Sequence, residues 1–403
     1  MKKGILSLSA LLVGGMLSAQ VVGTDTTTNA PLNSAQNILS GNGGKQIIIG
    51  GYGQIDYNQP LNDTASANGK MDVHRMVIFM GYKFNDKVQF VTEIEMEHVK
   101  ELYVEQAFLN YQISNPINFR AGLMLIPMGI INEYHEPTTF NGVERPNLDG
   151  KIIPTTWREM GAGFAGNIDN LSLKYQAYVV NGFLGYDGSG KLRGSDGFRK
   201  GRQKGAESTF NTPNFTTKLD FYGIKGLKLG ASAYFGNTQS TAFDGLPNND
   251  TLGLKAQADS TTVGLAMFGF DARYTYKALH IRGQFVKSSI SNVAEYNAYT
   301  GSDLGSSMLG YYGEVGYDVL SLIKKDAKEK LILFGRYEYY DTHDATPNGT
   351  IKNDSYARTD MTFGVTYKVS NGAAFKADYQ IFDNKADGNT PSNQINLGVG
   401  VWF

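Results

Sequence analysis

Three carboxylates at alternate positions, Glu93, Glu95 and Glu97, are the residues of this chain with the most chemistry in their spacing. Side chains of a strand alternate between two faces, so the three acids share one face and Ile94 and Met96 the other. Like charges this close repel unless water or bases attend them. Arg75 is the base within reach. If Asn85-Asp86-Lys87 closes a hairpin, Phe84 pairs with Val88, which sets Arg75 opposite Glu97 and Val77 opposite Glu95. A two-residue loop would set Arg75 against Met96, on the wrong face, so face parity favours the three-residue loop. The stripe reads as an ion-pair network bracing a wall or as the charged lining of a wet passage, and the two are compatible.

Catalysis is the weaker reading of the titratable residues. Hydrolysis needs a nucleophile and a base held together. The five histidines, His74, His98, His135, His280 and His343, show no Ser or acidic partner by spacing. No metal-ligand pattern appears in the linear sequence, and no cofactor is expected.

The elements that must position the charges are strands. The C-terminal segment 393–403 puts Ile395, Leu397, Val399, Val401 and Phe403 on one face, and Gln394, Asn396, Gly398 and Gly400 on the other. Alternating segments of this kind fall near 46–57, 71–84, 88–99, 102–113, 117–127, 158–168, 171–182, 214–222, 225–236, 261–276, 278–288, 308–319, 329–341, 358–369, 372–383 and 393–403. Most are long enough to cross a bilayer core when tilted. One breaks phase: Val263, Leu265 and Met267 are followed by Phe268, Phe270, Ala272 and Tyr274, which predicts a bulge near 267–269.

Connectors alternate in length. Asn85-Asp86-Lys87, Ser114-Asn115-Pro116, 167–170, 223–226, Lys277 and Ser370-Asn371 are tight turns. Long loops at 58–70, 128–157, 184–213, 237–260, 289–307, 342–357 and 384–392 lie between them, with Lys100-Glu101 a very short exception. The one longer turn on the tight side, 320–328, carries Lys324, Lys325 and Lys328. The pattern predicts an all-β chain: a single transmembrane antiparallel up-and-down β-barrel of sixteen strands with short periplasmic turns and long extracellular loops. Soluble sandwiches or a β-helix would explain the alternation but not the alternating loop lengths.

Composition agrees. The chain has 48 Gly, 24 Tyr, 22 Phe and no Cys, so packing and hydrogen bonds, not disulfides, must hold the fold. Residues 1–20 read as a cleaved signal peptide: basic Lys2-Lys3, an apolar run at 5–17 too short to span, and small residues to Ala19. Residues 21–45 read as a loose leader and 46–403 as the barrel. Net charge is −1, or −3 once Lys2 and Lys3 leave with the signal, and nothing suggests a nucleic-acid partner.

A lipid-facing Arg or Lys costs about 2–4 kcal/mol at the midplane, so strand charges should face the lumen. Lys174, Lys218, Lys228, Arg282, Arg336, Lys368 and Lys376 are roughly matched by Asp220, Glu314, Asp318, Glu338, Asp360 and Asp378. A mixed-charge interior implies water, and sixteen strands leave room for a channel that passes small hydrophilic solutes and ions. The loop 128–157 carries Glu133, Glu136, Glu144, Arg145, Asp149 and Lys151, with Arg158 and Glu159 at the rim. Infolding is expected, because Ile130, Ile131, Phe140, Val143, Ile152 and Ile153 would otherwise be exposed. Arg75, Glu93, Glu95, Glu97, Arg120, Glu133, Glu136, Glu144, Arg145 and Glu159 are the expected pore-lining or constriction residues. The loop 184–213, with Lys191, Arg193, Arg199, Lys200, Arg202 and Lys204, reads chiefly as a solvated loop against anionic surface lipid, and secondarily as a basic vestibule.

Several motifs look familiar. Asp72-Val73-His74-Arg75, the run 90–98 around the glutamates, Val104-Glu105-Gln106-Ala107, Arg120-Ala121-Gly122, Pro127-Met128-Gly129, Asn132-Glu133, His135-Glu136-Pro137 and Thr156-Trp157-Arg158-Glu159 carry the likeness. Over about 50–185 the chain resembles porins of Bacteroidetes that belong to the phosphate-selective porin O and P family. The resemblance implies an outer-membrane barrel, usually a homotrimer, with anion or phosphate passage in its namesakes. It also implies contact with outer-membrane lipid and lipopolysaccharide, and assembly by the barrel assembly machinery through the strand ending in Phe403. The namesakes' ladder of lysines and arginines is not placed by the sequence, and the glutamate stripe opposes it. The competing expectation is a plugged or partner-gated barrel serving as a structural protein or adhesin.

Overall fold

The structure, a computed structural model, describes residues 33, 35, 38, 39, 46–61, 66–324 and 327–403. The expected signal peptide lies outside the described residues. Strands run β1 (Ile47–Leu61), β2 (Lys70–Lys83), β3 (Val88–Glu97), β4 (Glu101–Ser114), β5 (Ile117–Leu125), β6 (Arg158–Ile168), β7 (Leu173–Val180), β8 (Leu184–Tyr186) and β9 (Asn214–Ile224). They continue β10 (Leu227–Asn237), β11 (Gln239–Ser240), β12 (Gly264–Tyr276), β13 (Leu279–Ser291), β14 (Ser307–Asp318), β15 (Lys330–Ala345), β16 (Ala357–Ser370), β17 (Ala373–Asn384) and β18 (Ser392–Trp402).

Sixteen of these, all but β8 and β11, form one closed antiparallel barrel in sequence order. β18 returns to β1 with Tyr52 opposite Trp402, and Gly51 and Phe403 exchange both backbone hydrogen bonds across the seam. Closure leaves no open sheet edge, which a bilayer requires. β8 and β11 make a small parallel pair among the loops. The barrel strands coincide with the sixteen expected segments, with ends within four residues.

Alternation sorts the two faces. On β9, Phe215 and Leu219 are exposed on the outer wall, while Thr216, Lys218 and Asp220 are buried inside. The hairpin register is the one face parity required, with Arg75 opposite Glu97 and Val77 opposite Glu95.

The lumen is filled largely by residues 126–157, between β5 and β6. Ile126, Met128, Ile130, Phe140, Leu148, Ile152 and Trp157 are buried in one cluster with Met267, Val286, Met308 and Tyr312 of the wall. Each large apolar side chain so buried contributes about 1.5–3 kcal/mol. This corrects the expected bulge in β12. That strand keeps continuous register with both β10 and β13. Leu265 and Met267 are apolar yet face inward, because the inserted segment gives the lumen an apolar core to join.

Four residues of the expected leader, 33, 35, 38 and 39, are described. Ala35 and Ile38 are helical and buried, and Ile38 packs over Gly81, where a side chain would collide with it.

Candidate functional site: a basic cavity beside the inserted segment

A buried segment this long must satisfy its own backbone polar groups. The wall's charges do much of that. Asp378 accepts from Val143 N at 2.6 Å and Glu338 from Leu148 N at 3.3 Å. Lys376 donates to Phe140 O at 2.9 Å, and Lys368 to Thr138 O at 2.8 Å. Lys218 reaches Gly129 O at 2.6 Å; Gly129 has φ +69°, and a Cβ there would lie 2.6 Å from Gln284 Oε1. The mixed-charge interior therefore serves the inserted chain as well as water.

What the segment leaves open is a cavity of about 320 Å³ at the long-loop end of the barrel. Its cationic lining comprises Arg75, Arg145, Lys151, Arg158, Arg199, Arg202 and Lys204. Its acidic lining comprises Glu95, Glu97, Glu144 and Asp149. Arg75 is paired with Glu95 at 3.2 Å. The outer guanidinium groups bond carbonyl oxygens instead. Arg145 donates to His135 O at 3.0 Å, Arg199 to Thr155 O at 3.0 Å, and Arg202 to the same oxygen at 2.9 Å. Among the described residues, no carboxylate lies within 4.0 Å of the charged nitrogens of Arg145, Arg158, Arg199, Arg202 or Lys204. Lys204 and Arg158 sit instead over the Tyr103 ring, at 4.1 and 5.6 Å.

The electrostatics favour a positive cavity at neutral pH. Burial, helped by Arg75, lowers the Arg145 pKa to about 10. Burial, helped by Arg199 and Arg158, lowers that of Arg202 to about 9. Both groups stay cationic at neutral pH. Burial raises Asp149 to about 7 against the hydrogen bond from Gln284, so its charge is only partly present there. A second cavity of about 230 Å³ lies towards the short-turn end, beside Tyr134, Arg273, Arg282, Lys330 and Lys368.

Of the expected lining residues, Arg75, Glu95, Glu97, Glu144 and Arg145 meet at the larger cavity. The others are spent elsewhere. Glu133 is held by Lys218 at 2.8 Å and Lys174 at 3.5 Å, and these outweigh burial to hold its pKa well below the carboxylate range. Glu159 accepts from Trp157 Nε1 at 2.8 Å, Gly182 N at 3.0 Å and Tyr234 OH at 3.1 Å, a brace at the foot of the segment. Glu136 is buried within the segment, and Arg120 bonds Asn110 and Tyr178. Glu93 is fully buried and accepts from Gln106 Nε2 at 2.8 Å.

One feature was read from the sequence only as the lesser alternative, and one escaped it. The loop 184–213 does not simply stand in solvent: Leu192 and Phe198 are buried, Phe198 stacks on Phe183, and Arg199, Arg202 and Lys204 turn to the cavity. The unexplained apolar residues in a basic loop were the available signal. Glu105 also faces the lumen, because β4 bulges where Glu93 pairs with Gln106 and Ile94 with Val104. The adjacent polar pair Glu105-Gln106, both buried, interrupts the alternation and could have revealed it.

A protein of Aquifex aeolicus (strain VF5) is 35% identical over 368 residues, covering 89% of this chain and 80% of that one. Among solved structures, the outer membrane channel DcaP of Acinetobacter baumannii matches at TM-score 0.57 and 11% identity, over 89% of this chain and 97% of that one. An anion-selective porin from Comamonas acidovorans matches at TM-score 0.53 and 10% identity, over 89% and 99%. OmpT of Vibrio cholerae, in its trimer form, matches at TM-score 0.51 and 14% identity, over 89% and 100%. At these identities the likeness is one of fold. The model of the family "Phosphate-selective porin O and P" matches residues 47–397. Family and fold point to a channel rather than an enzyme, and the chain belongs to the phosphate-selective porin O and P family as an outer-membrane porin for passive diffusion.

Proposed function

We propose that this porin passes small anions in preference to cations, and that the basic cavity sets the preference. The observation that carries the reading is the group of cations, Arg145, Arg158, Arg199, Arg202 and Lys204, facing that cavity with no carboxylate of the described residues within 4.0 Å. Guanidinium groups already bound to carbonyls are fixed in place, and each keeps donors for an oxyanion. A low-dielectric wall strengthens their field, while shared, multi-site contacts keep any one anion from being trapped. Glu95 is neutralised by Arg75, so the glutamate stripe opposes this field less than its count suggests. The anion-selective porin of Comamonas acidovorans shares the fold, which is consistent with this reading.

Several finer readings go with it. The loop 128–157 acts as the constriction; residues 1–20 are a cleaved signal; lipopolysaccharide meets the long loops; and the motifs of 50–185 support a Bacteroidetes source. Phe403, exposed beside the closing strand, is offered to the assembly machinery. OmpT of Vibrio cholerae has a trimer form, and a homotrimer is proposed here too. A gated barrel is the second reading, favoured by how much of the lumen the segment fills.

Liposome swelling tests the proposal with anionic, neutral and cationic solutes of similar size. Faster swelling with the anion supports it. Equal rates contradict it, and no swelling from a folded barrel supports the gated reading.

A further inference from the structure

We propose that Glu93, Glu105 and His135 bind one divalent transition-metal ion that ties the inserted segment to the wall. Their ligand atoms all lie within 4.8 Å of one another, and all three residues are buried. The residues come from β3, the β4 bulge and the inserted segment, which explains why no sequence spacing reported them.

The hydrogen bonding prepares the site. His135 Nδ1 lies 3.2 Å from Asn132 O, which can only accept, so Nδ1 carries a ring hydrogen and Nε2 is the nitrogen turned to the carboxylates. A backbone carbonyl behind an imidazole is the usual support of a metal-binding histidine. Nε2 is 3.2 Å from Glu105 Oε2, close to the ligand–ligand edge of about 3.3 Å in a tetrahedral site with bonds near 2.0–2.1 Å.

Not every acceptor at Glu105 has a donor. The Tyr52 hydroxyl stands 2.8 Å from His135 Nε2 and 3.0 Å from Glu105 Oε2, and its one hydrogen can serve one of them. Glu105 Oε1 has no hydrogen-bond donor, although the residue is 0% exposed. A proton added to Nε2 would serve Oε2 and still leave Oε1 without one. A divalent ion takes both carboxylates and the imidazole, with Tyr52 or water at the fourth position. Arg75, Arg145 and Arg158 are the charges that oppose it; Arg75 is engaged by Glu95 at 3.2 Å, and Arg145 bonds His135 O at 3.0 Å. Two carboxylates and an imidazole suit Zn2+ or Mn2+ rather than the soft metals that prefer sulfur.

This inference is independent of anion preference, and its test reads no current. Detergent-folded protein is stripped with chelator and titrated with Zn2+ by calorimetry. Saturation at one ion per chain is expected, with affinity lost by on the order of 10–100-fold in Glu105→Gln and retained in the loop variant Glu295→Gln. Absence of saturable binding, or equal binding by Glu105→Gln, overturns the proposal and leaves an adventitious ion only. If Glu105→Gln fails to fold, Co2+ titration of the natural chain decides. Tetrahedral visible bands that Zn2+ abolishes support the site, and the spectrum of hydrated Co2+ alone overturns it.

Discussion

The inserted segment meets charge on two sides, and the sides differ in what closes them. Towards β7–β12, Glu133 lies between Lys174 and Lys218, Lys218 reaches Asp271 at 3.4 Å, and Arg273 is 3.7 Å from Asp220. Acid and base alternate there until the lattice is neutral and nearly dry. Towards β2–β6, Arg158, Arg199 and Arg202 are held by carbonyls of 154–156, which fix position without cancelling charge. The same residue types thus make a strut in one place and a field in the other. The partner decides, because a carboxylate neutralises a cation and a carbonyl only orients it.

Breaking the strut should have the largest effect. Lys218→Met leaves Glu133, Asp220 and Asp271 facing only Lys174 and Arg273. We expect a loss of about 3–5 kcal/mol in the urea unfolding of the folded barrel; an unchanged midpoint would contradict the strut. The double variant Arg202→Gln, Lys204→Gln removes field and no carboxylate pair. It should lower the anion-to-cation permeability ratio by about threefold while stability moves by less than about 1 kcal/mol.

Proton titration offers a finer cut. Asp149 is neutral below about 7 and charged above it, because burial raises its pKa. Anion preference should therefore rise as pH falls through that value, and Asp149→Asn should flatten the change. The same shift makes this group's contribution to stability fall as pH rises from the ordinary carboxylate range towards about 7, since the native state holds the proton more tightly. Smallest of all, Glu97→Gln should raise anion preference less than about twofold, because Glu97 is only half-buried and screened.

The barrel was legible in the chain because lipid on one side enforces period two, as in Ile395 to Phe403, and turns such as Asn85-Asp86-Lys87 fix register. The site was legible only in part. Alternation says that Glu133 and Glu95 face inward, but it does not say that Lys218 will claim one and that the other will line a cavity. The first outcome depends on a contact between β9 and residue 133, far apart in the chain, and the second on where the inserted segment and residues 199–204 come to rest beside the β2–β3 hairpin. Met267 was misread for the same reason: an apolar residue facing the lumen looks like a phase error until the inserted segment supplies its neighbours. Glu105 hid behind a bulge, where one extra residue reverses the parity that the reading relied on.

The reversal potential of the natural protein in a planar bilayer, under a salt gradient at neutral pH, tests the central claim most directly. The account predicts stable current steps with a potential whose sign reports anion preference. A cation-selective potential would mean that Glu95, Glu97 and Glu144 govern the passage, and that the arginines facing the cavity do not set its field.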